Sequence, residues 1–319
     1  VVTLWHKIIN RAQELHRGDR RFGSTGMGVG ATFIYARSHP NTTLTAWDLV
    51  DHRRLSEKVD ALYDYVQEKL QPLAELPKVA QYLNEESAWL DPKRVMDALV
   101  KVGQRLAPCI LNAEAAEAYL EQCLLSGNTV LEGAQGTLLD YQVGTVPHIT
   151  QSTTRCCAAA QLLQPYAQQI GITYIGISRP YAHRHGAGPL PTEDSTLEPY
   201  LRDRHNLENR WQGGLRVGWF DAELAAYAKQ VNPELNYLVI TNLDRLATCP
   251  SIAIGTRYAN QRRSPELLTD FLFRATPIYE SVGLKDVTAR VQAAYETPLL
   301  AVSAGEENAW TEMIKLDAV

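Results

Sequence analysis

The chain has 319 residues, 45% of them hydrophobic and 21% charged, with a formal net charge of −5. That length supports one large domain or two ordinary ones around a real core, and the acidic balance leaves no basic surface for gripping nucleic acid non-specifically. Its 20 glycines and 16 prolines are ordinary usage, which argues against a fibrous or disordered chain. Five cysteines (Cys109, Cys123, Cys156, Cys157, Cys249) form no CxxC pair, so neither a disulfide framework nor a zinc cluster is indicated. The apolar runs fall short of a membrane span, and VVTLWHKIINRAQ lacks the shape of a signal peptide. A soluble protein of a reducing compartment is expected, with no membrane partner.

In chain order, residues 4–16 place Leu4, Ile8, Ile9, Ala12 and Leu15 at helical spacing, and Gly18 stands where it can close the helix. The chain opens inside this element, without the loose polar residues that commonly precede a first helix, and reads like a cut through a longer protein. GSTGMGVG (23–30) is a glycine-rich turn. Residues 54–126 read as mostly helical: a helix around 57–70 capped by Ser56 or a neighbour, a second from Asp91-Pro92 through Leu106, and a third from Asn112 to Ser126-Gly127. NTVLEGAQG (128–136) reads as a short buried strand, Val130 to Glu132, ending in a glycine turn. The stretch 174–193 is a strand followed by a Gly/Pro loop, and 221–233 a helix stopped by Asn232-Pro233. Residues 235–244 form an apolar strand with a polar end, a plan repeated in 297–310 before a last helix. The alternation predicts an α/β fold with a largely parallel sheet flanked by helices and a helical insertion at about 54–126. With no repeat and no clear linker, one domain over 1–319 is expected, with ligands outside the carboxyl ends of the strands.

Several loops carry groups suited to a nucleotide. The glycine turn offers backbone amides and the hydroxyls of Ser24 and Thr25, although it is neither a Walker A loop nor GxGxxG and serves equally as a plain flexible turn. Gln135 has the donor and acceptor needed to read a base edge, or to hold its own turn. Thr145, Thr150, Ser152, Thr153, Thr154 and Arg155 suit a phosphate or an ordinary polar loop alike. His183 and His185 lack a third ligand at suitable spacing, so hydrogen-bonded loop histidines are expected there rather than a metal site. Arg216 is suited to clamping a carboxylate or phosphate, or to an internal salt bridge. Asp244, closing the apolar strand, can accept two hydrogen bonds from a purine ring, and Ser303-Ala304-Gly305 can add backbone contacts to it.

Taken in order, VVTLWHKIINRAQELHRGDRRFGSTGMGVG, VLEGAQGTLLD, GTVPHIT, YAHRHGAGPLPTE, GLRVGWFD, VITNLD, PIYESV and VSAGEENAW resemble the adenylosuccinate synthetase family, with EGAQGTLLD and RHGAGPLPTE the most specific. The resemblance implies a P-loop-NTPase-like fold and a ligase of purine nucleotide biosynthesis. That family phosphorylates the 6-oxygen of inosine monophosphate (IMP) with GTP and magnesium, then lets the aspartate amine displace the phosphate. It further implies a cytoplasmic homodimer. By position, Thr25 and Thr150 match phosphate-binding threonines, Gln135 the glutamine on the nucleotide, and Arg216 one arginine of the aspartate loop. Asn242, Leu243 and Asp244 match the guanine-reading TKxD segment, and Ser303, Ala304 and Gly305 its partner loop.

The departures shape the expectations as much. The family's N-terminal quarter, with its GDEGKGK-type phosphate loop, its base and a downstream general acid, has no counterpart in these residues. Catalytic residues are therefore unassigned, no metal ligand is named, and the 319 residues are not expected to catalyse the full reaction by themselves. Met27 stands in place of an arginine, the arginine lent across the dimer aligns near His39 with Arg37 close by, and NRWQGGLRVGW replaces the family's TTGR loop. Asn242 in place of lysine predicts a triphosphate preference relaxed from GTP toward ATP. Phage-borne relatives that use dGMP are similarly divergent. The alternative class is a catalytically incompetent purine-nucleotide-binding or regulatory homologue.

Overall fold

A computed structural model describes residues 1–201, 208–262, 268–303 and 305 and the backbone of 310–313. The chain divides into two compact units, Val1–Val130 with Arg210–Gln212, and Leu131–Asn209 with Gly213–Val319.

The first unit is helical. Its elements are α1 (Leu4–Arg17), α2 (Val29–Ser38), α3 (His52–Leu70), α4 (Pro77–Glu85), α5 (Pro92–Leu106) and α6 (Ala113–Ser126), which is the expected helical region begun earlier than residue 54. Local chemistry explains most boundaries. Thr3 and His6 form a reciprocal cap on α1, and Gly18 closes it at φ +56°. The Asp91 carboxylate accepts from the Lys93 amide at 3.0 Å with Pro92 at the first helical position, and Asn112 accepts from the Ala115 amide at 2.8 Å. The cap of α3 is Asp51, accepting from the Arg54 amide at 3.1 Å; Ser56 lies inside the helix, because the acceptor five residues upstream already caps its first turn. Trp5, Ile8, Ile9 and Ala12 of α1 pack with Leu55, Leu62 and Val66 of α3 and Val79 and Tyr82 of α4. At the edge of this core, buried Asp48 accepts from the Thr45 amide and hydroxyl (both 2.7 Å), Lys58 (2.8 Å) and Arg54 (3.0 Å). Burial alone would raise its pKa, but the bonds from Lys58 and Thr45 hold it at about 2.

The second unit is α/β. It contains β1 (Ile175–Ser178), β2 (Tyr181–His185), β3 (Leu215–Asp221), β4 (Tyr237–Ile240), β5 (Ala253–Tyr258), β6 (Pro277–Ser281), β7 (Leu299–Ser303) and β8 (Trp310–Met313). Its helices are α7 (Cys156–Leu163), α8 (Glu198–Leu201), α9 (Ala222–Gln230), α10 (Leu243–Ala247), α11 (Leu268–Phe273) and α12 (Leu284–Tyr295). One sheet, in the order β1-β4-β7-β8, is parallel except at its β8 edge; the other, β2-β3-β5-β6, has a parallel β3-β5 pair between two antiparallel ones. Leu238 and Ile240 of β4, Phe220 of β3 and Val287 and Val291 of α12 share the core. This is the expected parallel sheet flanked by helices.

Three expectations are corrected. Val130 to Glu132 form no strand; Val130 is 88% and Leu131 42% exposed. A strand needs a partner edge, which two apolar residues and a glutamate cannot specify alone. His183 and His185 lie on β2 rather than in a loop, because the chain continues into an antiparallel pairing with β3. Over 310–313, where a last helix was expected to begin, the chain instead adds β8 antiparallel to β7. All five cysteines are free, and among the described residues no helix is long and apolar enough to cross a membrane.

Candidate functional site

The parallel sheet brings three segments to the same end. β1, β4 and β7 run in one direction, with Ser178 opposite Ile240 and Ile240 opposite Val302, so Asn242–Asp244 follow β4 where Ser303 closes β7. Gly305 follows at φ +133°, and Ala304 lies outside the described residues. Asn242 caps α10 in the left-handed region, at φ 62°. Asparagine tolerates that conformation better than most side chains, so its presence at this position has a backbone reason. Leu243 packs against the core. Asp244 directs its Oδ1 into a buried position with no hydrogen-bond partner among the described residues, while Oδ2 is 3.8 Å from Arg245 Nε. A carboxylate oxygen buried without a donor is costly, and a ring N–H would satisfy it.

The segment after the exposed Val130–Gly136 stretch is built around a residue that sequence reasoning passed over. Asp140, fully buried, accepts from the amides of Gln142 (2.8 Å), Val143 (3.2 Å) and Thr154 (2.8 Å), with Arg155 at 3.6 Å. It thereby draws both ends of the 140–154 loop onto one carboxylate. Thr150 sits within that loop, its amide bonded to the Leu139 carbonyl at 2.8 Å and its hydroxyl 3.3 Å from that of Ser152. Thr145 is buried, and the loop is tied outward by Tyr227 of α9, donating to the Val143 carbonyl at 2.6 Å, and by Thr269 of α11, donating to the Val146 carbonyl at 2.6 Å. Gln135 is exposed just before this loop. The signal that could have found Asp140 is the acid ending EGAQGTLLD, directly before a polar segment outside helix and strand whose amides need acceptors.

Arg216 is not a free clamp in this structure. Its guanidinium pairs in fork fashion with Glu193 (2.8 and 2.5 Å) and donates to the Gly186 and Gly188 carbonyls, both at 2.9 Å. Opposite it on β2 stands Arg184, donating to the His148 carbonyl at 2.6 Å and the Ala187 carbonyl at 3.3 Å. Burial, with Arg184 and then Arg216 adding to it, lowers the His148 pKa below its ordinary value and favours the neutral ring. His183 and His185 occupy alternate positions of β2, hence one face. Among the described residues, no three His, Cys, Asp or Glu side chains converge as a metal site, so the magnesium expected from the resemblance has no such ligand set among them.

In the first unit, the glycine turn is braced from α1. The Glu14 carboxylate accepts from the Gly23 amide at 3.0 Å, and Asn10 engages the Ser24 hydroxyl (2.9 Å) and the Gly28 amide (3.3 Å). Thr25 is the exposed hydroxyl of the turn. Trp211 covers the adjoining residue: its indole lies 5.0 Å beneath the Arg11 guanidinium and edge-on to Tyr82 at 5.9 Å, while Arg11 Nε donates to the Gly26 carbonyl at 3.0 Å.

The profile of the family described as adenylosuccinate synthetase matches residues 1–302. The chain is 32% identical over 304 residues to adenylosuccinate synthetase of Synechococcus sp. (strain CC9311), covering 92% of this chain and 65% of that protein. It is 31% identical over 308 residues to adenylosuccinate synthetase of Prochlorococcus marinus (strain MIT 9211), covering 93% and 66%. The chain thus spans about 65% of the length of the curated relatives it matches. In fold it is similar to a solved structure described as fully ligated adenylosuccinate synthetase from Plasmodium falciparum, with a TM-score of 0.76 and 20% identity over 94% of this chain and 73% of that one. Profile, relatives and fold agree over nearly the whole length, and the chain belongs to the adenylosuccinate synthetase family.

Proposed function

We propose that the protein is an adenylosuccinate synthetase-type ligase that joins L-aspartate to C6 of a 6-oxopurine nucleotide, IMP or dGMP, using GTP or ATP with magnesium. In this reaction the purine 6-oxygen attacks the γ-phosphorus, the bond to the nucleoside diphosphate breaks, and a 6-phosphoryl ester forms. The aspartate amine then bonds to C6 as inorganic phosphate leaves. The observation that carries the reading is the orphaned Asp244 oxygen beside Asn242 at the end of β4, next to Ser303 at the end of β7. Donors on a purine ring suit it, and strand ends of this kind are where α/β sheets take ligands. Thr150 and Gln135 would face the monophosphate nucleotide, with Thr25 and Arg216 contributing phosphate and aspartate contacts. A homodimer has an apolar face to use, since Met27, Val29, Phe33 and Ile34 are 41–53% exposed. The free cysteines accord with a cytoplasmic setting.

A second reading, a purine-nucleotide-binding homologue without ligase activity, draws on Arg216, whose guanidinium is engaged by Glu193 and two glycine carbonyls. Nucleotide-dependent thermal stabilisation and adenylosuccinate formation, measured on the same preparation, separate the readings. Turnover with aspartate supports the ligase. Because these 319 residues are not expected to complete the reaction alone, stabilisation by nucleotides without turnover supports the binder when the protein assayed also carries a GDEGKGK-type phosphate loop, and neither response sinks both. Competition between GTP and ATP tests Asn242: a strong GTP preference overturns the expected relaxation toward ATP.

A further inference from the structure

We propose that Arg184 is a positioning residue for nucleotide phosphate: it pins the carbonyl of His148, two residues before Thr150, and places an uncompensated positive charge behind that loop. The proposal rests on the reading above that Thr150 faces the phosphate of a purine nucleotide.

The β2-β3 register sets Arg184 directly opposite Arg216, and like charges at such positions repel. The two are then treated differently. Arg216 is neutralised by the fork to Glu193, whereas Arg184, only 9% exposed, has among the described residues the carbonyls of His148 and Ala187 as its hydrogen-bond acceptors and no carboxylate paired with it. Burial and the neighbouring Arg216 lower its pKa to about 10, which still leaves it charged at neutral pH. The backbone is shaped to admit it: Gly188 adopts φ +122°, and a Cβ there would stand 2.5 to 2.6 Å from the guanidinium atoms. A neutral side chain could hydrogen-bond two carbonyls without the desolvation penalty of a buried cation. An arriving anion offsets that penalty, and the field of the charge is strongest where water is excluded. Position alone has a separate device in the same loop, the Thr269 hydroxyl on the Val146 carbonyl at 2.6 Å.

The test compares Arg184→Gln, Arg184→Lys and Thr269→Val with the unsubstituted protein, measuring Kd for IMP, dGMP and inosine over a range of salt concentrations. Arg184→Gln is expected to weaken monophosphate binding by roughly 10- to 100-fold, the range for losing a charge-assisted interaction, and to flatten its salt dependence. Inosine binding should stay within about twofold, because the charge acts on the phosphate. Arg184→Lys, which keeps the charge, should recover part of the loss. Thr269→Val should weaken the monophosphates without altering their salt dependence. A folded Arg184→Gln with unchanged monophosphate affinity overturns the proposal, as does an equal loss of inosine and monophosphate. Should Arg184→Gln fail to fold, Arg184→Lys decides: it must bind the monophosphates more weakly while binding inosine normally, and parent-like affinity for both overturns the assignment. If the unsubstituted protein binds neither IMP nor dGMP, the nucleotide reading fails and takes the proposal with it; if it binds them and the variants match it, only the role of Arg184 falls.

Discussion

Replacing Asp140 probes the loop that carries Thr150 most directly. Its carboxylate is fully buried and is the acceptor for three backbone amides, two near the start of the loop and one at Thr154. In Asp140→Asn the oxygen facing Gln142 and Val143 can remain, but an NH2 group replaces the oxygen facing Thr154, so one bond is lost and two donors meet. Arg155 also loses its carboxylate neighbour at 3.6 Å. A hydrogen bond to a charged group contributes about 1.5–3 kcal/mol, so Asp140→Asn should destabilise by about 2–4 kcal/mol. Asp140→Ala strands all three amides and should reach about 3–5 kcal/mol, the upper end of single-residue effects. Urea unfolding followed by far-UV circular dichroism measures both; because the chain has two compact units, separate transitions are to be fitted separately. The loss should fall on the transition of the α/β unit, and nucleotide stabilisation should fall with it. If Asp140→Ala lies within about 0.5 kcal/mol of the parent, Asp140 does not organise the loop.

Two further substitutions test other parts of the fold. Asp221 caps α9 through the Leu224 amide and accepts from the Tyr258 hydroxyl at 2.7 Å; burial raises its pKa from 3.8 to about 6 despite these bonds. The folded state therefore holds this proton more tightly than the unfolded chain, so its stabilising contribution is present in acid and is lost as pH rises through about 6. Asp221→Asn keeps the Leu224 amide bond on its remaining oxygen and can replace the other by donating its NH2 to the Tyr258 hydroxyl oxygen; it should lessen the fall in stability between pH 4 and 7 by up to about 3 kcal/mol, and an identical pH profile in parent and variant would refute the assignment. At the glycine turn, Gly26 has φ +68° and a Cβ would lie 2.7 Å from the Trp211 ring. Gly26→Ala should destabilise by roughly 2–3 kcal/mol, about 1 of which is backbone strain. Trp211→Ala should remove the steric part but leave the strain, giving a coupling of about 1–2 kcal/mol in a double-mutant cycle read by thermal melting. Additive losses would show that the indole does not seat on the turn.

Several helices and the family were legible in the residues themselves, and so was the convergence of two strand ends; the helix Val29–Ser38 after the glycine turn was not. Asp91-Pro92 and Asn112 announce their helices because capping is local: the acceptor and the amides it satisfies lie within three residues. The paired tips Asn242–Asp244 and Ser303 follow from two apolar runs that end alike, since parallel strands of one sheet deliver their carboxyl ends to one side. Tertiary structure alone decided what depends on partners distant in the chain. Val130 to Glu132 carry strand-like residues yet pair with nothing, whereas Trp310–Met313 became a strand because the edge of β7 was there to receive them. Arg216 reads as a clamp for a ligand carboxylate until Glu193, 23 residues earlier, is found holding it. Asp140 closes a motif visible in the sequence and caps two nearby amides, but its burial and its hold on Thr154, like the whole task of Arg184, came from distant partners, because a buried charge is defined by the amides, carbonyls and like charges that folding gathers around it.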